Sequence, residues 1–113
     1  WTSNPVVNTS ISTATGNQAV RGVIPDGFGG VIFVWTDERT GTRDIYVQKI
    51  NSSGVVQWTT NGLAVCTASN VQQNPVLASD GLGGVIIAWE DARNGTTKKI
   101  PCKRERTFEH KVY

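Results

Sequence analysis

The chain has no methionine, one histidine, two cysteines and four prolines among its 113 residues. Cys66 and Cys102 are too few for a disulfide framework and lack zinc-ligand spacing, although a pairing of the two stays open. A lone histidine, His110 in a basic stretch, offers no partnered imidazole for acid–base chemistry. No apolar run reaches the ~18 residues of a membrane-spanning helix, so no membrane partner is expected. A signal-peptide pattern is missing too, and Trp1 reads as a processed or cut terminus. Aromatic residues are scarce, yet four of the nine are tryptophan, and glycine is frequent at 12. Glycine-rich turns between short β-branched runs are the composition of an all-β chain.

What the chain does contain is a repeat. Asp26-Gly27-Phe28-Gly29-Gly30-Val31-Ile32-Phe33-Val34-Trp35-Thr36-Asp37-Glu38-Arg39 returns 54 residues later as Asp80-Gly81-Leu82-Gly83-Gly84-Val85-Ile86-Ile87-Ala88-Trp89-Glu90-Asp91-Ala92-Arg93, with nine of fourteen positions identical. Self-similarity at this period is a statement about architecture before it is one about chemistry. The first unit reads as four strands. Ala19–Ile24 leads to the Asp26-Gly27 turn, where glycine supplies positive φ at no steric cost. Gly30–Trp35 is a continuous apolar run, the pattern of a strand covered on both faces. Asp44–Ile50 alternates, and Val55–Trp58 leads into a fourth, outer strand continued by residues 61–66. In the second unit, residues 74–79 form the innermost strand with Pro75 at its start, followed by Val85–Trp89.

The boundaries expected are an orphan outer strand over residues 1–16, a full repeat over 17–66, a partial repeat over 70–97 and a divergent basic tail over 98–113. The orphan strand is suggested by Trp1-Thr2-Ser3-Asn4, which matches Trp58-Thr59-Thr60-Asn61. After Thr97 the repeat fails, and the second unit looks short of its outer strand. Charge divides at the same place: residues 98–113 hold six Lys/Arg against two Asp/Glu, while residues 1–97 hold five against seven. The tail has no interleaved aromatic pattern beyond Phe108 to suit nucleic acid, so a solvated or disordered tail is expected and no nucleic-acid partner.

The set Asp-Gly-x-Gly-Gly, Trp-x-Asp-x-Arg and, once, Asp44-Ile45-Tyr46-x-Gln48 resembles a repeat of large secreted bacterial proteins of β-propeller type. That resemblance implies four-stranded antiparallel blades, a secreted or cell-surface location, and no particular ligand. Four strands in one repeat is also the size of one propeller blade. Two blades do not close a propeller, and open blade faces invite aggregation. A homo-oligomer is therefore expected, with a trimer of six blades closing head to tail, the first strand of one copy completing the last blade of the next.

Candidate site residues are those that recur. Trp35 and Trp89 are read as core rings whose N–H finds a carbonyl, or else as sugar-stacking platforms. Asp37 with Arg39, and Asp91 with Arg93, are read as ion pairs that fasten the repeat, or else as an arginine rim for acidic glycans. Asp26 and Asp80 are expected to hold their own turns by Asx-type hydrogen bonds. Tyr46 and Gln48 are expected to pack between blades. No catalytic constellation, cofactor site or metal-ligand pattern is present, the spaced aspartates of a calcium loop being absent. The function expected is a non-enzymatic structural or self-assembling scaffold. A carbohydrate-binding, lectin-like module is the alternative, and a fragment of a glycoside-hydrolase-like propeller ranks third because paired carboxylates are required for that chemistry.

Overall fold

A computed structural model describes residues 10–67, 71–94, 97–99, 102–106 and 109–112, with side-chain surroundings up to residue 90. The described residues form strands and turns and no helix. The expected orphan strand over residues 1–16 falls mostly outside them. Residues 10–16, which do lie within them, are not strand.

The first sheet is a four-stranded antiparallel meander of β1 (Gln18–Pro25), β2 (Val31–Asp37), β3 (Asp44–Ile50) and β4 (Leu63–Cys66), in that order. The second sheet holds β5 (Gln72–Ser79), β6 (Val85–Asn94), β8 (Cys102–Arg106) and β9 (Glu109–Val112) in that order, with β7 (Thr97–Lys99) also pairing with β6. Every pairing is antiparallel.

Both Asp-Gly turns span five residues. They are closed by a backbone hydrogen bond from Asp26 N to Gly30 O (3.1 Å) and from Asp80 N to Gly84 O (3.2 Å). Two glycines in each turn, Gly27 with Gly29 and Gly81 with Gly83, lie at φ between +80° and +89°. Side-chain-bearing residues rarely adopt that region. This is why glycine recurs at the second and fourth positions of both turns.

Three expectations need correction. The fourth strand of the first sheet is not continuous from Val55. Val56 makes a single bridge to Ile50, and the chain then turns through Thr59–Gly62 before β4 begins. Asn61 and Gly62, both at positive φ, redirect the backbone there. Pro75 does not start its strand. It is buried inside a bulge between Gln73 and Val76, where no ladder N–H is needed, and Asn74 beside it takes positive φ. Nor is the second unit short of strands. β8 pairs with β6 from Val85↔Glu105 to Ala88↔Cys102, and β9 pairs with β8. A strand edge needs only backbone donors and acceptors, which any sequence other than proline supplies. Strand pairing therefore continues where the side-chain repeat stops.

The sheets pack on each other through one face of each. Alternation along β2 places Ile32 and Val34 on the same face as Ile45 and Val47 of β3. These four are fully buried in one cluster with Val85, Ile87 and Trp89 of β6, and Ile24 and Leu77 pack against it. Gly22 sits where β1 crosses β5, and a Cβ there would collide with Leu77 Cδ2. Cys66 is buried in the same cluster. Polar bridges flank the apolar contact. Lys49 Nζ donates to Gly83 O at 2.6 Å, and Gln72 N donates to Arg43 O at 2.9 Å.

Ile32→Ala is expected to cost about 2–5 kcal/mol, because it opens a cavity where the sheets meet. Phe28→Ala, at an exposed turn tip, is expected to change stability by less than about 0.5 kcal/mol. Urea unfolding of the two variants beside the parent checks both.

Candidate functional site

The opposite face of the first sheet carries a buried polar cluster. The register places Trp35 beside Tyr46 and Asp37 beside Asp44. Asp37 is fully buried and accepts four hydrogen bonds. Trp35 Nε1 donates at 2.8 Å, the Arg39 backbone N at 2.9 Å, Arg39 Nε at 2.9 Å and Arg39 Nη2 at 2.6 Å. The two side-chain bonds from Arg39 form the bidentate fork that its planar guanidinium suits. Arg39 Nη2 also donates to Asn61 O at 2.6 Å, tying the 38–43 turn to the loop before β4. The guanidinium lies over the Tyr46 ring, Cζ to centroid 3.9 Å, and Tyr46 stacks on Trp35 at 6.3 Å between centroids. The Trp35 N–H thus finds a carboxylate, where a carbonyl was expected. The Arg39–Asp37 pair closes within its own turn.

Charges in the cluster follow from these contacts. Burial pushes Asp37 upward, but the bonds from Arg39 and Trp35 outweigh it and hold its carboxyl below the usual value. The Asp37 partner raises Arg39 further. Asp44 goes the other way. Burial raises it, the one hydrogen bond from Thr40 Oγ1 (2.6 Å) offsets this only in part, and neighbouring Asp37 adds to the rise. Asp44 Oδ1 is buried and has no hydrogen-bond partner. Burial also raises Tyr46.

The turn aspartates are engaged locally. Asp26 Oδ1 accepts from Phe28 N (2.7 Å) and Gly30 N (2.9 Å), and Asp80 Oδ1 from Leu82 N (2.7 Å) and Gly84 N (2.9 Å). Burial pushes Asp26 up, yet these amides and the Lys49 ammonium, 3.8 Å from Oδ2, keep it low. Gln48, fully buried, takes the Trp58 amide on Oε1 (3.0 Å) and donates Nε2 to Thr59 O (2.7 Å), which holds the loop against the sheet.

Trp35 and Trp89 are both buried, at 1% and 3% exposure. Trp35 belongs to the polar cluster and Trp89 to the intersheet core, so the structure does not bring them together. The side chains of Asp91 and Arg93 lie outside those described; Asp91 pairs in register with Gln72. An open depression of about 340 Å³ lies beside Trp89, lined by Asn74, Val76, Ala88 and Glu90. Asn74 Nδ2 donates to Glu90 Oε2 at its rim. Asn74 and Glu90 are not repeated in the first unit, so a search for recurring residues passes over them. Among the described residues, no three His, Cys, Asp or Glu side chains gather as a metal site.

Set against protein-family models, curated proteins and solved structures, the chain matches none of them.

Opposite pH dependences are expected for the two buried aspartates. The lowered Asp37 value adds stability above its unfolded value, and this is lost as pH falls through the folded value. The deficit of Asp37→Asn should therefore be full at neutral pH and shrink in acid. The raised Asp44 value favours the protonated form, so its contribution is complete at low pH and lost as pH rises through the folded value. Asp44→Asn should accordingly gain on the parent as pH increases. Urea denaturation from pH 3 to pH 7 separates the two.

Gly62, at φ +108°, leaves no room for a Cβ, which would lie 2.5 Å from Trp35 Cζ2. Gly62→Ala is expected to destabilise by about 1–3 kcal/mol or more and to shift Trp35 fluorescence.

Proposed function

We propose that the chain is a non-enzymatic β-propeller-type repeat module whose role is structural, a self-assembling scaffold built from paired blades. The observation that carries this reading is where the recurring polar residues are used. Asp26 and Asp80 bind the amides of their own turns, and Asp37 and Arg39 bind each other and the loop before β4. These residues support the sheet and do not converge on an open cleft. Two antiparallel sheets packed face to face through repeat-related strands are in keeping with neighbouring blades, as is the meander order of the first sheet. A three-chain ring of six blades is the assembly that fits this reading, and a secreted setting goes with the repeat it resembles.

A second reading, carbohydrate binding, draws on one observation. The depression sets the apolar Val76 and Ala88 beside the Asn74 amide and the Glu90 carboxylate, the mixture of apolar and polar groups that suits small ligands.

Light scattering behind a sizing column tests the first reading, with a mass of three times the 12.2 kDa chain expected. A glycan array run on the same sample tests the second. A monomer that binds a defined glycan would replace the scaffold reading with the lectin-like one.

A further inference from the structure

The 54-residue repeat makes the contact between the sheets comparable with surfaces elsewhere on the chain. Within the chain, Gly22, Ile24, Ile32 and Val34 of the first sheet meet the face of the second that carries Leu77, Val85 and Ile87. The repeat equivalents of the first group are Val76, Ala78, Ile86 and Ala88, on the outer face of the second sheet. Register confirms that they are neighbours, with Val76↔Ala88 and Ala78↔Ile86 directly opposed. The β5 and β6 part of this face is apolar and exposed: Val76 is 65% and Ile86 36% exposed, and Ala78 is exposed too. The equivalents of the second group are Val23, Val31 and Phe33, on the face of the first sheet that points away from the second. Val23 is 51% exposed, and Val31 and Phe33 are half-buried. The chain therefore carries one completed interface and, at its two ends, both unpaired halves of another of the same kind.

We infer that these halves meet between copies. The outer face of β5 and β6 in one chain docks on the Val23–Phe33 face of β1 and β2 in the next, repeating the intersheet contact between chains. Side-chain sizes agree with this occupant. Inside the chain, Gly22 admits the large Leu77; between chains, the equivalents are Val76 and Val23, two residues of middle size. Val34 and Ile87 inside the chain become Ala88 and Phe33 between chains. What one side gains in bulk the other gives up, which preserves close packing. The contact is heterologous, a different patch on each partner, so it propagates around a ring or along a fibre, and a closing rotation ends it. This rests on the scaffold reading above and specifies its interface.

Val76→Asp and Val23→Asp test it, each charging one half only. Both positions are exposed in the single chain, so each variant should keep the cooperative thermal melt of the parent. Where one does not fold, Ile86→Lys replaces the first, and Val20→Lys, at an exposed β1 position opposite Trp35 on the Val23 face, replaces the second. Light scattering should show the parent as a multiple of the chain and each variant alone as a monomer. Mixed in equal amounts, the two variants should give a two-chain species, because one intact half of each kind remains. Variants that stay assembled like the parent would overturn this interface and leave the scaffold reading standing. Monomeric variants that fail to pair on mixing would overturn the heterologous geometry. A monomeric parent would overturn the scaffold reading and this interface with it.

Discussion

The Asp37 carboxylate is the constraint on which the rest of the first sheet depends. It is fully buried at the end of β2, where an ionised group without partners would cost several kcal/mol. Four donors answer it, three from Arg39 and one from the Trp35 indole. Those donors in turn set their surroundings. Arg39 is drawn across the Tyr46 ring and reaches the Asn61 carbonyl, and Trp35 is held flat against the same Tyr46. A single charge thereby organises the strand end, the turn after it and the loop before β4.

The two faces of that sheet work by different physics. One face is a dry contact with the second sheet, made by Ile32, Val34, Ile45 and Val47 and flanked by the Lys49–Gly83 and Gln72–Arg43 hydrogen bonds. Apolar burial is non-directional, so its fit rests on side-chain size, and Gly22 opposite Leu77 is the tightest example. The other face is apolar at Val23, Val31 and Phe33 and polar towards Asp37, where directional bonds from Asp37, Arg39 and Gln48 close it. Asp44 is its exception, a buried carboxyl with one oxygen left unanswered beside a second carboxylate, and its raised proton affinity follows from that.

Repetition also explains which features are local. The Asp-Gly-x-Gly-Gly turn is made the same way in both sheets, down to its closing hydrogen bond and its two Asx contacts. The strands after it begin alike and then diverge, because β6 carries on to Asn94 while β2 ends at Asp37. Equivalent apolar faces end up in different settings, buried between the sheets in one case and exposed in the other.

Much of this was legible in the residues alone. The all-β class, the hairpins at Asp26 and Asp80, the place of β2, the extent of β3 and the self-binding of the turn aspartates follow from interactions between residues at most a few positions apart. Such contacts form wherever the local sequence occurs, so their pattern can be read without the fold. Tertiary structure alone decided the rest. It gave Arg39 the Asn61 carbonyl 22 residues away, and it buried Asp44. It also broke the run from Val55 into a bridge and a turn before β4, and it recruited the charged tail as β8 and β9. Those outcomes depend on which distant backbone or side chain the fold brings to an unsatisfied group. That is set by chain closure and packing, and no local residue pattern encodes it.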